Sequence, residues 1–544
     1  MRTALSLLRI EFCWPMVRYL RFGSLLAAAL CCKQLAAQPP NNPPNALIAP
    51  GGQQNAGLFG GPNATGTTAQ QGGAANADFD SLIDLITSTI QPEMWADNGG
   101  TGDIRPFFGG VLVDAAGTLQ LRSRAAAQSD LAAKRGEVPL ELPRQSVEAR
   151  QASALRYVSL PRLEREIARR QVSREPLEPA MLTLAGLERV RYVFVYPESG
   201  DLVLAGPAGD WQIDPEGRIV ASDTGQPVVR LDDLIVLLRR GEQAAESFFG
   251  CSINPRQEAL ATTQTFLASS SQRPLEPGQR KKWLGKLRDN VGRQDIEIFG
   301  VDPASRVASV LVEADYHMKL IGMGLADGVD GVESYLDLIK LSAKRAGASS
   351  PPPMSVLRWW FTLSYESILA SPAGDAFELV GQGVRVLSEN ELLAEQGRRV
   401  HTGQSDPLNR QFAESFTAHF TELAAKYPVY GELRNVFDLA MAVALIHSEN
   451  LAERAGWTPA LLADGERLRL PQAAIPRQVE TVINHRVINR RHIVAGVSGG
   501  VMVAPGDVLR ESGIIDRERL KSERHARPRP ELAAEAWWWD ATEQ

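Results

Sequence analysis

The sequence predicts an α+β fold. Apolar and polar side chains alternate with period two on both sides of four Pro-containing turns, at 197–200, 214–217, 302–305 and 371–374, which is the pattern of antiparallel hairpins. Between these stretches the apolar spacing changes to three and four residues, which marks helices. The turns fall at intervals too irregular for a propeller or a solenoid. With 544 residues, 44% hydrophobic and 22% charged side chains, the chain has a globular make-up and enough length for a large core.

Residues 1–37 follow the three-part plan of a secretory signal. Arg18 and Arg21 precede an apolar run over 22–32, and Leu35-Ala36-Ala37 places small residues before Gln38. That run is about half of the ~20 residues that span a bilayer. Cleavage after Ala37 and release into the periplasm or outside the cell are expected, from a start at Met1 or Met16, and no transmembrane segment is expected in the mature chain. Lipoprotein anchoring through Cys31 or Cys32 is the alternative, although Leu30 stands where a small residue precedes a lipidated Cys31. Removing 1–37 takes away five bases and one acid and leaves a net charge near -10. A nucleic-acid partner is not expected at that charge. Cys251 is then the sole cysteine, so an intramolecular disulfide is excluded.

Residues 38–78, built from Gln, Pro, Asn, Gly, Ala and Thr, read as a disordered low-complexity tether. Residues 79–124 read as a small helix–loop–strand unit: Leu82, Ile83, Leu85, Ile86 and Ile90 form a helical stripe that Pro92 ends, and 109–113 is strand-like. An α+β domain is expected over 125–346, with helices at 160–170, 255–269, 277–291 and 332–345. The proline-rich stretch 347–353 reads as its border with a second α+β domain at 354–505. There a hairpin spans 357–387 and a helical block runs over 408–450, its second helix apolar nearly all round. Residues 506–544 read as a polar tail ending in a tryptophan cluster.

Four strings stand out: Tyr192-Val193-Phe194-Val195-Tyr196-Pro197, Val312-Glu313-Ala314-Asp315-Tyr316-His317-Met318-Lys319, Tyr427-Pro428-Val429-Tyr430-Gly431-Glu432-Leu433-Arg434-Asn435 and Ala495-Gly496-Val497-Ser498-Gly499-Gly500-Val501. Together they make residues 150–505 similar to a family of exported planctomycete proteins that carry a domain of unknown function. The resemblance implies export and a shared architecture, and no activity. Residues 80–113 resemble a segment found in secretin-type envelope proteins.

The best polar constellation is Glu313, Asp315 and His317. As a strand, 312–320 would place them on one face with Lys319, as a metal-binding or acid–base ridge or as the solvated side of a half-buried strand. Ser498 lies in a Gly-x-Ser-x-Gly string, but the following Val501-Met502-Val503-Ala504-Pro505 is not helical, so a glycine-rich hairpin turn is the expected reading. Cys251 precedes Asn254-Pro255 near an expected helix start, where a thiol can be activated; its neighbours Phe248, Phe249 and Ile253 argue for burial. His485, Arg486, Arg490, Arg491 and His492 form a basic cluster fit for an acidic partner or for solvent. Trp537, Trp538 and Trp539 face a partner or fold back on the body. No cofactor and no metal site is predicted. The leading expectation is a non-enzymatic binding or structural module of the cell envelope, with an envelope protein or an acidic glycan as partner. The alternative is an exported hydrolase, metal-dependent through the Glu313 ridge or using Ser498.

Overall fold

The computed structural model describes residues 103–107, 110–114, 148–241, 243–270, 280–346, 354–394, 398–488, 491–517, 520 and 536–541. The leader expected over 1–37, the tether expected over 38–78 and the helix expected at 82–90 lie outside the described residues. The fold is α+β, built on two mixed sheets. Asp103–Phe107 and Gly110–Asp114 pair as a separate antiparallel hairpin.

The larger sheet runs in the order Arg399–His401, Gly383–Leu393, Met354–Ser364, Arg491–Val503, Phe249–Pro255, Arg293–Phe299 and Gln478–Glu480, with Ile483–Ile488 folded back on Arg491–Val503. Its central pair, Met354–Ser364 with Arg491–Val503, is parallel. Alternation along these strands gives an apolar face of Leu357, Trp359, Phe361, Cys251, Ile253, Val497 and Val501, all buried. Helices cover it: Trp359 meets Phe412 with ring centroids 4.2 Å apart, and Phe361 meets Phe416 at 5.8 Å.

The smaller sheet runs Ile514–Asp516, Ser367–Ala370, Ala376–Val380, Tyr192–Tyr196, Asp201–Ala208, Ser153–Ser159 and Trp538–Asp540. The hairpins expected around 197–200 and 371–374 belong to it, and the one around 214–217 pairs Trp211–Ile213 with Ile219–Ala221. Local chemistry sets the helix starts. Ser159 accepts the Arg162 N–H ahead of Leu160–Ser173, and Asp406 accepts those of Leu408 and Asn409 ahead of Pro407–Ala418. The helix Pro428–Ser448 is buried on every side over 435–446, as its apolar circumference requires. Among the described residues no helix is long and apolar enough to cross a membrane.

Three expectations are corrected. Residues 347–353 are not a domain border: strands from both sides of them share both sheets. A proline-rich stretch reads alike whether it joins domains or joins a helix to a strand of one unit, and only long-range pairing tells the two apart. The turn at 302–305 does not join strands. Ser305 instead caps the helix Arg306–Gly322, its Oγ accepting the Ala308 N–H. Nor is 506–544 merely a polar tail, because it holds the helix Pro505–Ser512 and the edge strands Ile514–Asp516 and Trp538–Asp540.

Candidate functional site

The Glu313 ridge does not exist as a ridge. Val307, Val310, Leu311, Ala314, Met318 and Ile321 are buried at helical spacing, and this period overrides the local alternation. At 3.6 residues per turn, Glu313 and His317 share one side and Asp315 and Lys319 another. Asp315 and Lys319 form an ion pair of 2.6 Å, both side chains fully buried. Lys319 Nζ also lies 3.3 Å from the Ile253 carbonyl. Burial pushes the Asp315 carboxyl up and the Lys319 ammonium down, and each partner partly offsets the shift in the other. Cys251, on the adjoining strand, is buried as its neighbours imply. Burial and then the Asp315 charge raise its thiol pKa, which is the opposite of activation.

On the other side, Glu313 pairs with Arg218. His317 Nδ1 lies 2.8 Å from the Tyr430 hydroxyl, and its ring meets Tyr427 edge-on at 4.3 Å. Burial, helped by Arg218 and Lys426, lowers its pKa to about 4. Among the described residues no three His, Cys, Asp or Glu side chains are placed to hold a metal ion.

Ser498 sits within the continuous strand Arg491–Val503, 1% exposed. The expected glycine turn is therefore absent, and the glycines serve close backbone approach instead. A Cβ on Gly499 would lie 1.6 Å from the Trp359 carbonyl oxygen, and one on Gly500 2.0 Å from that of Cys251. Ser498 Oγ donates to Glu391 Oε2 at 3.1 Å, and Glu391 Oε1 lies 3.2 Å from His401 Nδ1. The acid thus stands between hydroxyl and imidazole, whereas a serine nucleophile needs the imidazole in the middle. Glu389, Arg358 and Arg399 complete this polar patch on the sheet. It was not anticipated. Alternation within Gly383–Leu393 puts Glu389 and Glu391 on one face, but only the register shows Arg358 opposite Glu389 and His401 opposite Glu391.

In the basic cluster, His485 and Arg486 lie on one strand of a hairpin, with Arg491 and His492 on the other. Arg490 and the side chains of the other four lie outside the described residues. The tryptophans return to the body. Trp537 is 1% exposed, Trp539 stacks on Tyr157 at 5.6 Å and 6°, and the Arg156 guanidinium lies 4.6 Å from the Trp538 ring centroid.

The concavity that the sequence left unseen is a cleft of about 910 Å³ where the start of Arg306–Gly322 meets the end of Leu231–Leu238 and the stretch 465–472. Arg239, Arg240, Arg306 and Arg469 line it together with the acids Asp232, Asp302 and Glu466. Arg239 donates to the carbonyls of Leu462, Asp464 and Leu468 and so pins one wall. Arg240 donates to the Gly300 and Ser247 carbonyls beside the Phe249 ring, and burial lowers its pKa to about 10. Arg306 pairs with Asp233 and Glu432, and Arg218 joins Glu432 to Glu313 and Glu216. These groups are scattered along the chain, so no local spacing could have announced the cleft.

No curated protein and no solved structure matches the chain. Residues 251–335, which run from the buried Cys251 through the whole Arg306–Gly322 helix to Tyr335, match the model of a family described as "Protein of unknown function (DUF1598)".

Proposed function

We propose that the protein is an exported, non-enzymatic binding module of the cell envelope whose ligand, an acidic glycan, is held in the cleft beside the start of the Arg306–Gly322 helix. The observation that carries this reading is convergence. Four arginines reach one concavity from three separate stretches of an acidic chain and outnumber the three acids, Asp232, Asp302 and Glu466, that share its lining. A volume of about 910 Å³ falls within the roughly 300–1,000 Å³ usual for ligand clefts. Guanidinium groups suit carboxylates in pairs of hydrogen bonds, and Val236, Val301 and Leu470 offer an apolar surface to sugar rings. Support for a non-catalytic role comes from the placement of Glu313, Asp315, His317 and Ser498, none of which lines the cleft.

Calorimetric titration of the purified protein with an oligogalacturonate is expected to give saturable binding that weakens as salt rises. A neutral maltodextrin of equal length is expected not to bind. Arg469 is 80% exposed in its pair with Glu466, so Arg469→Glu leaves the fold intact and is expected to weaken binding several-fold. Equal binding of both glycans, or no effect of Arg469→Glu, would count against the cleft.

Export rests on the leader pattern of Arg18, Arg21 and the run over 22–32. Mass spectrometry of the secreted form is expected to find Gln38 as the first residue. An acylated Cys31 or Cys32 there would make the protein membrane-anchored.

A further inference from the structure

Arg306 belongs to two places at once. It lines the cleft with 23% of its side chain exposed, and its guanidinium is held from behind by Asp233 on Leu231–Leu238 and Glu432 on Pro428–Ser448. Asp233 is 1% exposed. Its Oδ2 accepts from Arg306, while its Oδ1 has no hydrogen-bond partner among the described residues. The charged groups around this acid are Arg306, then Asp232 and Arg230 on its own segment, with Glu432 behind Arg306. Arg218, Glu313 and Glu216 extend the network from the far side of Glu432. In this group Asp232, Asp233, Glu432, Glu313 and Glu216 outnumber Arg230, Arg306 and Arg218, so the arginine that reaches the cleft is held inward by surplus negative charge.

Resting on the reading that the cleft takes an acidic ligand, we infer that Asp233 competes with that ligand for Arg306. A proton on Asp233 Oδ1 removes one of the two carboxylates that hold Arg306, leaving Glu432 alone behind it, and strengthens binding. No bond other than the O–H is made or broken, and the proton comes from solvent. Burial, opposed by Arg306, lifts the Asp233 pKa to about 6, so the exchange falls between mildly acidic and neutral pH. The folded protein holds this proton more tightly than the unfolded chain does, so the group's contribution is complete below the ordinary carboxylate range and is lost as pH rises through about 6.

The test titrates the oligogalacturonate, whose carboxylates stay ionised throughout, into the full protein at pH 5 and pH 7.5. Binding about tenfold tighter at pH 5 is expected, an ordinary size for coupling between two sites. Asp233→Asn is expected to bind equally well at both pH values, near the wild-type value at pH 5, and to lose the stability slope near pH 6. Arg306→Lys keeps the charge but not the paired geometry, and is expected to bind weakly with no pH step. A pH step that survives in Asp233→Asn overturns the inference, as does wild-type binding that is flat with pH. The flat result leaves the acidic-ligand cleft standing, whereas absence of binding at both pH values overturns cleft and competition together. If Asp233→Asn does not fold, the Arg306→Lys profile decides: a retained tenfold step rejects the role of Arg306.

Discussion

Replacing Arg156 by Met is expected to lower stability by roughly 3–5 kcal/mol, from buried carbonyls left without a donor at about 1–3 kcal/mol each together with the loss of a charge-assisted pair. Arg156 is fully buried within Ser153–Ser159. Its Nε and Nη2 lie 2.8 and 2.9 Å from the two carboxylate oxygens of Asp540, and its remaining donors go to the carbonyls of Ala149, Ala185 and Gln151. The substitution leaves the buried Ala149 and Ala185 acceptors without a donor and releases the edge strand that carries Trp538 and Trp539. Asp540, with 35% of its side chain exposed, can regain water, so Asp540→Asn is expected to cost less, roughly 1–3 kcal/mol. Urea unfolding followed by tryptophan fluorescence measures both. A loss below about 1 kcal/mol for Arg156→Met, the size of one ordinary hydrogen bond, would mean that the C-terminal strand is not anchored here.

Lys319→Met is expected to be of similar size, roughly 3–5 kcal/mol, for a different reason. It strands the Asp315 charge, fully buried, beside Cys251 and under the apolar face of the larger sheet. Desolvation works against both members of the pair, so replacing both by apolar side chains is expected to restore most of the loss. The double variant Asp315→Leu/Lys319→Met should therefore unfold at a urea concentration near the wild-type value. A double variant as unstable as the sum of the two singles would show no coupling and would refute the account of Asp315–Lys319 as a mutually compensating pair.

Where local pattern and tertiary packing agree, the sequence alone was enough. The α+β class, the hairpins around 197–200 and 371–374, and the helix Pro428–Ser448 follow from short-range chemistry: turn residues, period two, and an apolar circumference that has to be buried. Burial of Cys251 followed from its apolar neighbours in the same way. The segment 312–320 was ambiguous because its residues satisfy period two while the wider stretch over 307–321 satisfies period 3.6. Only packing against the larger sheet selects the helix, and with it goes the ridge of Glu313, Asp315 and His317. Partnership was beyond the sequence altogether. Ser498 meets Glu391 across 107 positions and Arg156 meets Asp540 across 384, and local periodicity carries no information at that range. The cleft is of the same kind. Its arginines are legible one by one, but their convergence depends on how Leu231–Leu238, Arg306–Gly322 and the stretch 465–472 are brought together by the sheets they pack on.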